Sequence, residues 1–262
     1  MLHHTTHIHS PKSEWVTFIH GAGGSSSIWY KQIRDFKKHF NVLLIDLRGH
    51  GKSKKPIYEK LKEYTFEVIG DEVIDVLDYL NIAKTHFIGI SLGTIIIRDM
   101  SERYPDRVSS MILGGAIMKL NLRGQFLMRM GDALKSVLPY MVLYRFFALV
   151  IMPRKKHRES RSLFIREAKN LYQKEFKRWF TLIAEVNPLL SFFRINDSSI
   201  PTLYIMGSED HMFLPSISKL VKNHKSSVLH VIPDCGHVVN VERPMEFNQV
   251  AVQFLLQPIQ AT

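Results

Sequence analysis

The chain has 262 residues, 45% of them hydrophobic, which is enough to bury a large core and indicates one α/β domain, with or without an insertion. A single cysteine, Cys235, excludes an intrachain disulfide and fits a reducing compartment. The formal net charge is +11, and its excess lies in one segment, because residues 117–196 hold 16 of the 35 Lys and Arg but only 5 of the 24 Asp and Glu.

The first 13 residues are polar and lack the apolar core of a signal peptide. No run in the chain reaches the roughly 18 uninterrupted apolar residues of a spanning helix. We therefore expect a soluble, cytoplasmic protein. For the N-terminal histidines we expect a solvent-facing strand rather than a metal site, and these are His3, His4, His7 and His9.

Short β-rich runs alternate with helical periodicity in both halves of the chain. Strands are predicted at residues 14–19, 41–45, 85–88, 108–113, 200–207 and 227–232. Helices are predicted at 29–40, 66–80, from 94 to the proline at 105, at 217–224 and at 244–256. This alternation predicts a mostly parallel sheet covered by helices on both faces. Between them, from 117 to 196, only helical periodicity is found.

The motif Gly89-Ile90-Ser91-Leu92-Gly93 joins a predicted strand to a predicted helix. A serine at such a turn has a strained backbone, and glycines on either side allow close passage of neighbouring backbone. The turn exposes the serine hydroxyl and directs the next N–H, that of Leu92, toward developing negative charge. The bare pattern also arises by chance, but the strand before it and the helix after it favour a functional turn.

A serine nucleophile needs a base to take its proton and an acid to orient that base. In a parallel sheet these groups come from loops at the carboxyl ends of strands. The loop at 207–211 offers carboxylates in Glu209 and Asp210, with His211 beside them, and the loop at 233–237 ends in His237. The order Ser91, Asp210, His237 is one in which serine triads occur.

With these pieces the chain resembles the α/β-hydrolase fold superfamily over nearly its whole length. The matching pieces are the His20-Gly21 loop, the Asp-x-Arg-Gly-x-Gly-x-Ser run at 46–53, the turn at 89–93, the Gly-x-x-Asp at 207–210 and the Gly-His at 236–237. An α/β fold with an inserted helical cap is thus implied. The first strand begins after only about fourteen residues, so we expect a shortened opening hairpin.

The resemblance also implies roles for particular residues. Ser91 would be the nucleophile, His237 the base and Asp210 the residue that orients it, with an oxyanion hole from the N–H groups of Ala22 and Leu92. The family spacing favours Asp210 over the neighbouring Glu209. We expect His211 to point away from the acid, His20 to bond the loop backbone and His50 to be a turn residue. A serine at the turn argues against an Asp-nucleophile dehalogenase or epoxide hydrolase.

The implied domains are a hydrolase core at 1–116 and 197–262 and an inserted helical cap at 117–196. In the cap, an almost wholly apolar stretch at 137–152 precedes a basic run at 154–158. We expect a helix packed on the core and a solvated basic turn. The alternative is an interfacial helix that, with its basic neighbour, meets an anionic lipid surface. No nucleic-acid recognition module is visible.

We therefore predict a serine hydrolase that cleaves a carboxylic ester, or a related thioester or lactone, of a small-molecule acyl substrate through an acyl-enzyme intermediate, with no cofactor. One alternative is a carbon–carbon bond hydrolase of the same fold, which uses the same three residues. A second alternative is a non-catalytic ligand-binding or signalling member, against which the complete set Ser91, Asp210 and His237 argues.

Overall fold

A computed structural model describes residues 1–54, 64–119, 122–135, 137–171, 173–184 and 186–257. Its centre is a seven-stranded sheet with the strand order β1-β3-β2-β4-β5-β6-β7. Every neighbouring pair is parallel except β1 with β3. The strands are β1 (His4–His7), β2 (Trp15–Ile19), β3 (Asn41–Ile45), β4 (Thr85–Ile90), β5 (Val108–Gly114), β6 (Thr202–Gly207) and β7 (Ser227–Ile232).

Two of the N-terminal histidines, His4 and His7, lie in the edge strand of this sheet, whereas His3 and His9 lie just outside it. β1 runs antiparallel to β3, with His4 opposite Ile45 and His7 opposite Val42. Its residues are half-buried or exposed. Within the described residues, no group of three or more His, Cys, Asp or Glu side chains could hold a metal ion.

Helices cover both faces of the sheet, which confirms the predicted fold class. In β5 the side chains of Met111 and Leu113 pack into one apolar cluster, and that of Ile112 packs into the cluster on the opposite face. The inner strands are apolar without alternation because both of their faces are buried. The helices of this layer are α1 (Tyr30–Phe36), α2 (Phe66–Tyr79), α3 (Leu92–Arg103), α9 (Leu214–Val221), α10 (Val239–Glu242) and α11 (Pro244–Leu256).

Two predicted helices have different ends in the structure. The first ends at Phe36 rather than at residue 40, because a turn after it carries Phe40 into the core, where only 2% of its surface is exposed. The helix predicted at 217–224 begins earlier, at Leu214, since Pro215 occupies the first turn, a position where its missing N–H costs nothing.

Between β5 and β6 the described chain forms helices only. These are α4 (Leu122–Leu134), α5 (Tyr140–Ile151), α6 (Arg158–Ala168), α7 (Gln173–Ala184) and α8 (Asn187–Ile195). Side chains from α5, α6 and α7, together with Leu171, form an apolar cluster that lies wholly within this segment. We call residues 117–196 the insertion. None of the helices in the described part of the chain is both long and apolar enough to cross a bilayer.

Candidate active site

Ser91 lies at the sharp turn between β4 and α3. Its backbone has φ 54° and ψ −118°, a strained conformation for a residue with a side chain. The neighbouring glycines permit it: a Cβ on Gly93 would lie 2.4 Å from the carbonyl oxygen of Ile19, and one on Gly89 would lie 3.0 Å from the Gly93 carbonyl. The turn predicted from the sequence is therefore present, with its glycines packed against backbone.

Three residues from three different loops form a continuous chain of hydrogen bonds. His237 Nε2 lies 2.9 Å from Ser91 Oγ, and His237 Nδ1 lies 2.7 Å from Asp210 Oδ2. An ionised carboxylate only accepts hydrogen bonds, so Nδ1 carries the proton and Nε2 is free to accept from the serine hydroxyl. Asp210 is 1% exposed and His237 is 3% exposed. This arrangement can activate a hydroxyl nucleophile.

The two loops that supply the imidazole and the carboxylate are held by packing at the sheet edge. Asp210 Oδ1 accepts a hydrogen bond from the N–H of Phe213, 3.2 Å away, and the Phe213 ring lies 5.1 Å from the His237 ring. Gly115 lies under the histidine with φ 51°, and a Cβ there would lie 2.3 Å from the His237 carbonyl oxygen. Our sequence analysis did not assign Gly115 to the site, although it is one of two glycines at which the strand–helix alternation stops.

The neighbours of Asp210 in the sequence face elsewhere. His211 is exposed and lines a different cavity from the one above Ser91. The carboxylate of Glu209 lies 2.9 Å from His157 Nε2 and 2.5 Å from Lys156 Nζ, both in the insertion. Of these three adjacent side chains, it is thus Asp210 that the structure places against His237.

Two buried histidines hold the glycine-rich loop after β2. His20 donates from Nδ1 to the carbonyl of Gly21, 2.8 Å away, and accepts at Nε2 from the N–H of Leu47 at 3.0 Å. His50, which we expected to be only a turn residue, accepts at Nε2 from the N–H of Gly23 at 2.9 Å. Burial lowers the pKa of His20 and lowers that of His50 to about 3. Both rings are therefore neutral at pH 7, and their hydrogen bonds hold the loop in place.

Asp46 stabilises the other end of this glycine-rich loop. Its carboxylate accepts hydrogen bonds from the N–H of Ser26 at 2.7 Å and from the N–H of Lys52 at 2.9 Å. The Asp-x-Arg-Gly-x-Gly-x-Ser run thus supports the loop that contains Ala22 rather than the reacting serine.

Tyr144 of α5 joins the insertion to this loop. Its hydroxyl donates to the carbonyl of Ala22 at 2.8 Å, and its ring packs against Phe164 with centroids 4.5 Å apart. Gly23 makes the approach feasible, since a Cβ there would lie 2.2 Å from the Tyr144 hydroxyl. No sequence motif marked Tyr144, because it lies in an almost wholly apolar helix.

The cavity above Ser91 has a volume of about 130 Å³ and an apolar lining. Ala22 and Leu92, the residues proposed to supply the oxyanion hole, lie in its wall beside Ser91. Helices of the insertion supply most of the remaining wall, including Phe147, Phe176 and Trp179. Such a site favours a neutral, apolar group beside the serine.

Comparison with known proteins agrees with this fold. The family model described as alpha/beta hydrolase fold matches residues 14–244. A 3-oxoadipate enol-lactonase of Acinetobacter baylyi is 26% identical over 245 residues, which cover 89% of this chain and 85% of that protein.

Solved structures share the fold at lower identity. The enol-lactonase from Burkholderia xenovorans LB400 superposes with a TM-score of 0.81 at 21% identity, over 98% of this chain and 96% of that one. A thermophilic esterase from Thermogutta terrifontis gives a TM-score of 0.79 at 20% identity, over 98% and 93% of the two chains. With a family model matched over most of its length and this fold, the chain belongs to the α/β hydrolase fold family of enzymes.

Proposed function

We propose that the protein is a serine hydrolase that cleaves a carboxylic ester or a related acyl bond, such as a lactone or thioester, through an acyl-enzyme. The observation that carries this proposal is the hydrogen-bonded series Ser91, His237 and Asp210, whose serine lies in the wall of an apolar cavity. It is supported by the enzymes of the same family whose names are lactonase and esterase.

In the proposed reaction, Ser91 Oγ attacks the substrate carbonyl while His237 Nε2 takes its proton. Asp210, which accepts from Nδ1, stabilises the imidazolium that forms. The N–H groups of Leu92 and Ala22 are the proposed donors to the oxyanion. His237 then gives its proton to the leaving oxygen or sulfur, which departs as an alcohol or thiol, or remains attached as the opened end of a lactone. Water, activated by the same histidine, releases the acid and restores Ser91.

The insertion would act as a cap domain that selects the substrate, with residues 1–116 and 197–262 forming the catalytic core. Two observations support this division: the insertion has an apolar cluster of its own, and it supplies most of the wall above Ser91. The apolar wall favours an aliphatic or aromatic acyl group next to the reacting carbonyl.

The outer face of α5 supports a docking role for the cap at an anionic lipid surface. Val142, Phe146 and Leu149 project from this face with 50%, 38% and 51% of their surface exposed. Arg145 is exposed on the same helix and forms no ion pair with a described residue. An apolar stripe with a cation beside it fits lipids that carry negative headgroups. We further propose a cytoplasmic location, with which the buried single Cys235 is compatible.

A fluorophosphonate probe and a panel of acyl esters of increasing chain length test the proposal. We expect the probe to label Ser91 and the panel to be hydrolysed with formation of free acid. Labelling of Ser91 without turnover of any ester, thioester or lactone would favour the carbon–carbon bond alternative. Absence of both labelling and turnover would favour a non-catalytic ligand-binding role.

A further inference from the structure

A second cavity lies beside the catalytic one and has a different chemistry. Its volume is about 420 Å³, and the polar side chains in its wall are Lys119, Arg194, His211, Ser216, Lys219 and Asn223. Met212, which follows His211, lines both this cavity and the one above Ser91. The two cavities therefore share a wall at the loop that bears Asp210.

The charges around this second cavity are uncompensated. No Asp or Glu lies in its wall. In the described ranges, none of Lys119, Arg194 and Lys219 forms an ion pair, although ion pairs are frequent elsewhere on the molecule. Like charges gathered around a concave surface repel one another and raise the local concentration of anions. An anionic ligand would remove this repulsion.

Arg194 is held in position to receive such a ligand. Its Nη1 donates to the carbonyl oxygens of Met118 at 2.6 Å and Leu190 at 3.0 Å. Its Nε and Nη2 have no hydrogen-bond partner among the residues that the structure describes. A guanidinium that is anchored through one nitrogen has already lost most of its conformational freedom. Binding of an anion to the remaining donors therefore costs little further side-chain entropy.

The cavity also joins parts of the chain that are far apart in sequence. Lys119 follows β5 at the beginning of the insertion, and Arg194 lies in α8 at its end. Lys219 lies on α9 of the core, and His211 comes directly after Asp210. A ligand held by these residues would connect both ends of the insertion to the loop that carries the proposed catalytic acid.

We propose that this cavity binds a carboxylate or phosphate group of a small organic molecule. Arginine and lysine are the side chains that bind these oxyanions, and the apolar Met212 and Leu220 in the same wall would contact the uncharged part of the ligand. The volume exceeds that of a single small anion and lies within the range of sites for small metabolites. The oxyanion belongs either to the far end of the substrate or to a separate ligand.

Two measurements distinguish these sources, and only the first rests on the proposed hydrolase function. The first compares p-nitrophenyl octanoate with the mono-p-nitrophenyl ester of octanedioic acid, which differ in one terminal carboxylate. The second measures thermal unfolding of the Ser91→Ala protein with inorganic phosphate or pyrophosphate at constant ionic strength. It requires no turnover, so failure of the hydrolase proposal leaves it informative.

The test variant is Lys119→Gln/Lys219→Gln, because both lysines are exposed and neither forms a hydrogen bond with a described residue. Its matched control is Lys222→Gln/Lys225→Gln, which removes the same charge from exposed positions just beyond α9 and outside the cavity. If the substrate carries the anion, the test variant lowers kcat/KM for the octanedioate ester by about tenfold and leaves the octanoate ester within about twofold.

If the anion is a separate ligand, the two esters respond alike, but the rise in Tm caused by phosphate or pyrophosphate is lost in the test variant and retained in the control. Either result supports the site. The proposal is overturned if the test variant neither discriminates between the esters nor loses anion-dependent stabilisation, or if the control variant shows the same changes as the test variant.

Discussion

His157 Nε2 of the insertion lies 2.9 Å from Glu209 Oε2 in the core, on the residue directly before Asp210. Arg154 and Lys156 pair with the same carboxylate. Partial burial opposes ionisation of Glu209, but hydrogen bonds from Lys156 and His157 outweigh it and lower the pKa of this carboxyl. We expected the basic run at 154–158 to be solvated or to face lipid. Instead, three of its residues bind Glu209 and attach the insertion to the loop of the proposed catalytic acid.

Replacement of Ser91 by Ala should lower kcat/KM for any turned-over ester by at least about a thousandfold, because the proposed nucleophile is removed while the cavity remains. Circular dichroism and Tm should match those of the parent protein. Fluorophosphonate labelling should disappear in this variant and persist in Ser199→Ala, an exposed serine outside the site. Undiminished labelling of Ser91→Ala would place the nucleophile elsewhere.

Asp210→Asn should reduce kcat by several orders of magnitude, on the order of 10⁴-fold, because an amide favours the wrong tautomer of His237 and cannot stabilise its cation. Glu209→Gln should have a far smaller effect on kcat and instead loosen the insertion, because its bonds run to His157 and Lys156. Steady-state kinetics and limited proteolysis of the two variants separate these effects. A larger loss of kcat in Glu209→Gln would reverse our assignment of the acid.

Tyr144→Phe removes one hydrogen bond to the Ala22 carbonyl and leaves the ring packing intact. A single hydrogen bond of this kind contributes about 0.5–1.5 kcal/mol, so we expect kcat to fall by roughly two- to tenfold as the proposed oxyanion loop loosens. The control is Tyr140→Phe on the same helix, whose hydroxyl forms one hydrogen bond with the described residues, a 3.4 Å bond to the Lys169 carbonyl. Equal kinetics for the two variants would remove Tyr144 from the site.

His50 should make the protein less stable in mild acid. Its pKa is lowered to about 3 by burial, whereas the unfolded chain has the ordinary value of 6.5. Below pH 6.5 the unfolded state takes up a proton that the folded state excludes, so the free energy of unfolding falls as the pH falls from 6.5 toward 3. One such group contributes about 1.4 kcal/mol per pH unit at most.

The comparison that checks this is urea denaturation of the parent protein, His50→Gln and His39→Gln at pH 6.5, 5.5 and 4.5. His50→Gln should show a shallower loss of stability with falling pH, because glutamine does not titrate. His39 is exposed, so its replacement should leave the parental slope. Identical slopes in all three proteins would mean that His50 is not held neutral by burial.

The proposed lipid face on α5 predicts that the protein binds anionic vesicles more strongly than neutral ones and that salt weakens the binding, since exposed charges are screened over about 8–10 Å at physiological ionic strength. Phe146→Ser/Leu149→Ser and Arg145→Glu should each reduce vesicle cosedimentation. Lys155→Glu is the control, because Lys155 lies in the turn that is fastened to Glu209 rather than on the stripe. Cosedimentation that is equal for both vesicle types would leave this face as ordinary exposed surface.

The amino-acid sequence by itself determined the sheet, the turn at Ser91 and the order of the three site residues. Each of these has a local signal: an apolar run such as Asn41–Ile45, a pair of glycines around the serine, or a polar residue in the loop that follows a strand. Parallel strands end at the same edge, so the loops at 207–211 and 233–237 could be placed beside Ser91 without knowledge of any contact. The choice of Asp210 over Glu209 came from the resemblance to the α/β-hydrolase family. Apart from the ends of helices and the opening segment, the core is laid out as expected. We expected a shortened opening hairpin, but β1 pairs with β3 and is not a neighbour of β2 in the sheet.

Only the tertiary structure decided which partners meet across the insertion. Tyr144 and Ala22 are 122 residues apart, and the ion pairs of Glu209 reach residues more than fifty positions away. Hydrophobic periodicity indicates that a face of a helix or strand is buried, but it does not identify the element against which that face packs. A run of basic residues has the same sequence pattern whether it contacts water, lipid or a carboxylate. The hydrogen bond from Gly23 to His50, the one from Tyr144 to Ala22 and the ion pairs between the insertion and Glu209 all depend on such distant contacts. Folding brings together side chains whose chemistry is complementary but whose sequence positions are unrelated.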